Sequence, residues 1–204
     1  MAPISKSLRC AFVLLLVYNT IVNFNVFAAV KSDVVSSFEV HEIVPDVVPK
    51  APNAVASVLY PSGVVVNLGN VLMPSSVQET PIVEWDADSN QFYTLAMIDA
   101  DPPSRAEPTA REYQHWLVGN VPGANIEEGE RLSDYIGSGP PAGTGLHRYV
   151  FLVYQQPGKL TFDEPRLTNV LSSERGGFSI ADFAIKYSMG DPIAGNFYQS
   201  EYED

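Results

Sequence analysis

Apolar residues in this chain come in short runs separated by turn clusters, not in long helical periods. Runs at 54–60, 64–68, 93–98, 115–120 and 148–154 read as β-strands, and their spacing predicts a mainly β fold. The runs 93–98 and 149–154 are apolar or aromatic on both faces, the mark of central strands covered on each side. One helix is well signalled. Ser179 can cap it with Asp182 three residues on, Ile180, Phe183, Ala184 and Tyr187 form one apolar face, and Gly190 and Pro192 are placed to stop it. A weaker helical pattern includes Val34, Val35 and Phe38.

Residues 1–29 differ from the rest. Lys6 and Arg9 precede an apolar stretch, and Ala28 and Ala29 close it, as in a cleaved secretory signal peptide. Asn19, Thr20, Asn23 and Asn25 interrupt that stretch short of the roughly 20 residues a membrane span needs, so stable membrane insertion is not expected. Residues 30–204 then form one domain. The single cysteine, Cys10, lies in the leader, which leaves the remainder without disulfide, thiol nucleophile or thiolate metal site.

The chain carries 24 acidic and 12 basic residues, a formal net charge of −12. Such a charge repels nucleic acid and anionic membrane surfaces, so any anion must be held by local groups.

Candidate chemistry gathers in two loops, DADPPSR at 99–105 and GSGPPAGTGLHRY at 137–149, with His115 between them. Asp99 ends an apolar strand and can accept a hydrogen bond from a histidine. Tyr113 shares a face with His115, and Tyr149 with His147. The glycines Gly137, Gly139, Gly143 and Gly145 allow close backbone approach, and the pairs Pro102/Pro103 and Pro140/Pro141 stiffen their loops and are candidates for cis bonds. Together these groups suit a small anion with several oxygens, with a protonated histidine donating to it and Asp99 orienting the ring.

Rival chemistries fit less well. Two histidines and Asp99 match the ligand types of a metal site, but no HExxH or His-x-His spacing accompanies them. Ser138 lacks the GxSxG setting of a hydrolase nucleophile, and the glycine loop lacks the Lys-Ser/Thr of a nucleotide site. Arg105, Arg111 and Arg148 are expected to pair with acids such as Glu112, with Arg148 pointing away from the pocket because it alternates with His147 and Tyr149.

With these residues in view, the chain resembles the phosphatidylethanolamine-binding protein family. The resemblance runs through EIVPDVV at 42–48, GVVVNLG at 63–69, the stretches 93–105, 111–118 and 133–154, and is carried above all by GSGPPAGTGLHRY. It implies a β-sandwich with a large central sheet, a smaller flanking sheet and a few peripheral α-helices. It also implies a small anion pocket formed by Asp99, Pro103, His115, Gly139, Pro140, His147 and Tyr149, with Tyr113, Ile136, Gly137 and Ser138 along its wall.

Two departures stand out. Ala110 replaces a tyrosine that relatives often carry before the Arg-Glu pair. The chain also lacks most of the C-terminal helix that partly covers the pocket in many animal members, so a more open pocket is expected.

The implied function is a secreted, non-enzymatic, monomeric protein that binds a phosphate-like anion or phospholipid head group, as a lipid or odorant carrier, with no cofactor and no metal. The alternative is an extracellular serine-protease inhibitor or interaction module with a vestigial pocket.

Overall fold

The computed structural model describes residues 33–170 and 173–204; the expected leader, 1–29, lies outside them. Among the described residues nine strands follow one another: β1 (Ala54–Val55), β2 (Ser57–Leu59), β3 (Asn70–Val71), β4 (Ile82–Glu84), β5 (Phe92–Asp99), β6 (Tyr113–Pro122), β7 (Glu130–Ser133), β8 (His147–Gln155) and β9 (Ala194–Ser200). Seven form a mixed sheet in the order β1-β9-β8-β5-β6-β7, with β3 also paired to β9. The other two, β2 and β4, make a small antiparallel sheet. This is the expected mainly β architecture of a large and a small sheet.

Both central strands are covered on each face because their side chains are apolar in both alternating sets. On one face Ala96, Ile98, Leu117, Val150 and Leu152 pack with Val34 and Phe38 of the helix α1 (33–40), the short turn α2 (Ile43–Asp46), and Ile180, Phe183 and Ala184 of α3 (Ile180–Lys186). On the other face Leu95, Met97, Trp116, Val118 and Phe151 pack with Val58 and Val83 of the small sheet.

Helix α3 starts as its sequence predicts, the Ser179 hydroxyl accepting from the Asp182 N–H at 3.1 Å. Its end differs. Ser188 takes the left-handed conformation (φ 54°), its N–H donating to Ile185 O and that of Met189 to Ala184 O, so the carbonyls are satisfied before Gly190 is reached.

Two strand expectations are corrected. The run 54–60 changes sheets at Ala56, because Ala54 and Val55 pair with β9 and Ser57, Val58 and Leu59 with β4, and Tyr60 lies beyond the strand. The run 64–68 is not a strand. Only Val65 forms a bridge, and Leu68 (φ 46°) then turns so that its N–H reaches the Asn196 side chain at 2.9 Å.

Candidate ligand-binding site

Strands β5 and β9 end, and β6 and β8 begin, at the same edge of the large sheet. Register places Tyr113 opposite Asp99, Asp99 opposite Tyr149, and Tyr149 opposite Tyr198. Residues opposite one another share a face, so this row lays a carboxylate between two phenols. Tyr149 and Tyr198 stack at 5.1 Å.

His115 reaches the same place by an irregularity. Met97 pairs with Trp116 but Ile98 with Gln114, leaving His115 as the extra residue of a β-bulge. A bulge re-aims a side chain, and this one sets the imidazole 5.2 Å from the Tyr113 ring and 5.1 Å from that of Tyr149.

The residues converge on a cavity of about 610 Å³. Asp99, Pro103, His115, Gly139, Pro140, His147 and Tyr149 all line it, as do Tyr113, Ile136, Gly137 and Ser138. Sequence reasoning missed Gln78 and Ser173 as further wall residues. Gln78 is brought in by a glycine: a Cβ on Gly137 would lie 2.7 Å from Val77 O and 2.8 Å from Gln78 Cα, so only glycine lets the two segments touch. The Gln78 amide then donates to Ser138 O at 2.9 Å. The expected cis bond is present at Pro102–Pro103, while Pro140–Pro141 is trans.

Hydrogen-bond accounting fixes the state of the histidines. The Asp99 carboxylate accepts from His147 Nδ1 at 2.8 Å. The single proton of the Thr144 hydroxyl is donated to Pro141 O at 2.7 Å, so the 2.9 Å contact between Thr144 and His147 Nε2 requires the ring nitrogen to donate. That arrangement belongs to the doubly protonated ring. Burial opposes that charge, but the hydrogen bond and charge of Asp99, helped by Asp101, outweigh it and raise the His147 pKa.

His115 is the opposite case. Burial dominates and lowers its pKa despite Asp99 and the Ile136 carbonyl. The neutral ring donates Nδ1–H to Ile136 O at 2.8 Å, leaving the Nε2 lone pair as an acceptor. Asp99 orients the His147 ring as expected, but the other ring nitrogen meets Thr144. His147 is a charged ring already committed to Asp99 and Thr144, His115 a neutral acceptor.

Burial, then the charge of Asp99, raises the Tyr149 pKa, so its hydroxyl stays protonated, with the Gly139 N–H facing its oxygen. Ser138 is buried with its hydroxyl 3.5 Å from that of Ser200, and its bonds include none to an imidazole.

Among the described residues, no lysine or arginine lines the cavity. Arg148 points away as expected, but it is fully buried. Its guanidinium grips Asp101 through Nε at 2.9 Å and Nη2 at 2.7 Å and also reaches Asp46 at 3.0 Å. Arg105 pairs with Glu42 and Arg111 with Asp46. Glu112, expected to pair with an arginine, instead accepts the Ile180 N–H at 2.9 Å, at the start of α3.

This fold and this constellation define a class. Residues 62–198 match the family model described as phosphatidylethanolamine-binding protein, and the chain belongs to that family. Among its relatives is the putative odorant-binding protein A5 of Drosophila melanogaster, 37% identical over 163 residues, covering 80% of this chain and 78% of that protein. The solution structure of CG7054 is 42% identical, covers 80% of this chain and 93% of its own, and superposes with a TM-score of 0.64. The same fold recurs in a carboxypeptidase Y inhibitor solved with its cognate proteinase, at 23% identity, TM-score 0.73, and coverage of 85% and 97%.

Proposed function

We propose that this chain is a secreted, non-enzymatic carrier. It holds the phosphate-like head of a small lipid, or an odorant-sized molecule, in the cavity at the edge of the large sheet. The observation that carries the reading is the division of that cavity. Its floor is polar, with Asp99, His115, His147 and Tyr149, whereas Pro102, Pro103, Ile136, Pro140 and Pro141 offer apolar surface. A cavity of about 610 Å³ is within the range of small-molecule sites. The named role of the Drosophila relative, odorant binding, supports a carrier. Secretion is supported by the leader pattern at 1–29.

Isothermal titration of the full chain with phosphoethanolamine tests the reading. Binding is expected, and it is expected to weaken in His147→Ala. Absence of binding, or equal binding by that variant, counts against the site. Secretion is tested by expression in insect cells, where the chain is expected in the medium with an N-terminus near residue 30.

The second reading, protease inhibition, draws on the named role of the carboxypeptidase Y inhibitor, whose likeness to this chain reaches the fold. Inhibition of a serine protease that survives replacement of both His115 and His147 would favour it.

A further inference from the structure

Building on the carrier reading, we propose that the cavity selects the protonation state of the head group. It takes one that can donate a hydrogen bond, such as a singly protonated phosphate monoester, and rejects one that only accepts.

The selecting atom is His115 Nε2. Its ring cannot present a proton there, because the proton sits on Nδ1 and is held by Ile136 O at 2.8 Å. Nor is the ring free to turn, wedged as it is between Tyr113 and Tyr149 with 5% of its surface exposed. A ligand oxygen that meets this lone pair must bring its own proton. A bare oxygen would set two lone pairs against each other and leave both unsatisfied.

The charges around His115 do not rescue such a ligand. From β5 comes Asp99 and from β8 comes His147, and these two are paired with each other. His147 also spends its second N–H on Thr144. From the turn at Ser173–Arg175 comes Arg175, whose Nη1 and Nη2 donate to the carbonyls of Gln114, Asp134 and Thr168. Tyr113 and Tyr149 are the remaining titratable neighbours. The Tyr149 hydroxyl is itself hydrogen-bonded to Asp99, and the Gly139 N–H to the Tyr149 oxygen. One acceptor beside the internally paired Asp99 and His147 matches a phosphate that keeps one proton, and the pair offers a dianion no uncommitted cation.

The test compares two probes of equal charge and nearly equal size on the full chain, neither with a donor apart from the ester itself: methyl phosphate and methyl sulfate. At pH 5.5 both esters are monoanions, and only the phosphate retains an O–H. The phosphate ester is expected to bind at least about tenfold more tightly, as a hydrogen bond to a charged group commands. Above a pH of about 6, where its second proton leaves, its affinity is expected to fall about tenfold per unit, while that of the sulfate ester stays level. Equal affinities at pH 5.5, or a parallel decline of both esters, overturns the inference and leaves the carrier reading standing. Failure of both probes to bind overturns the two together.

Discussion

His147 and Asp99 form a closed pair at the floor of the cavity, Nδ1 to Oδ2 at 2.8 Å, with the two side chains only 1% and 7% exposed. The histidine is the cation of that pair. Burial alone would lower its pKa, and the hydrogen bond and charge of Asp99 outweigh burial and raise it.

A pH dependence follows. Because the folded pKa of His147 is raised, its contribution to stability is fully present below about 6.5, the free-histidine value, and is lost as pH rises through the folded pKa. In Asp99→Asn the main opposing influence is gone, and burial should carry the ring below the free value. An NMR titration of the imidazole should show a pKa above 6.5 in the native chain and below it in the variant. The same value in both would contradict the assignment.

Glu112 titrates in the same direction for a different reason. Burial pushes its carboxyl up to about 7, with Asp182 adding to it, while the Ile180 N–H and Arg111 pull the other way. A carboxyl with a raised folded pKa favours the folded state when protonated. Its contribution is therefore complete below a pH of about 4.5 and is lost as pH rises to about 7, by roughly 3 kcal/mol at 1.36 kcal/mol per unit. Glu112→Gln keeps an acceptor for Ile180 and removes the charge. Urea melts should show it more stable than the native chain at pH 8 and nearly equal at pH 4.5; equal stability at both would refute the reading.

The parts of this fold that were legible in the sequence are those whose causes are local. Strands β5 and β8 announce themselves by apolar residues at both alternations, and α3 by its cap and apolar face. Asp99, His147 and Tyr149 could be placed together because a strand end and a strand start fix where their side chains emerge. What was hidden depends on distant segments. Strand β9 is missing from the predicted runs, and Asn196 interrupts its apolar residues. That residue is buried, yet its amide reaches Ala56 O and Val66 O and accepts from Leu68 and Phe197, a network no local pattern announces. The bulge at His115 is set by its pairing with β5, and Gln78 enters the cavity wall only because Gly137 approaches it from 59 residues further along the chain.

That approach yields a third prediction. In Gly137→Ala the new methyl would press on the backbone at Val77 and Gln78, neither of which is a flexible side-chain tip. Overpacking of this kind costs about 1–3 kcal/mol. The 77–78 segment must shift away from the cavity wall, so the variant should lose both melting temperature and affinity for phosphoethanolamine. A variant with native affinity would mean that this contact does not shape the cavity.

Arg148 separates structure from recognition. It lies beside two cavity residues in sequence, but it is fully buried on the opposite face and holds Asp101 by two side-chain bonds to two carboxylate oxygens. Its Nη1 also donates to the carbonyls of His41 and Glu42 at 2.8 Å, and its Nη2 reaches Asp46, tying the segment after α1 to the sheet. Removing one partner of a buried pair strands the other charge, at about 3–5 kcal/mol. Arg148→Met and Asp101→Asn should each destabilise the chain by that order in chemical denaturation. The molecules that remain folded should bind phosphoethanolamine as the native chain does, since neither residue lines the cavity. Loss of affinity at native stability would instead assign Arg148 to the ligand.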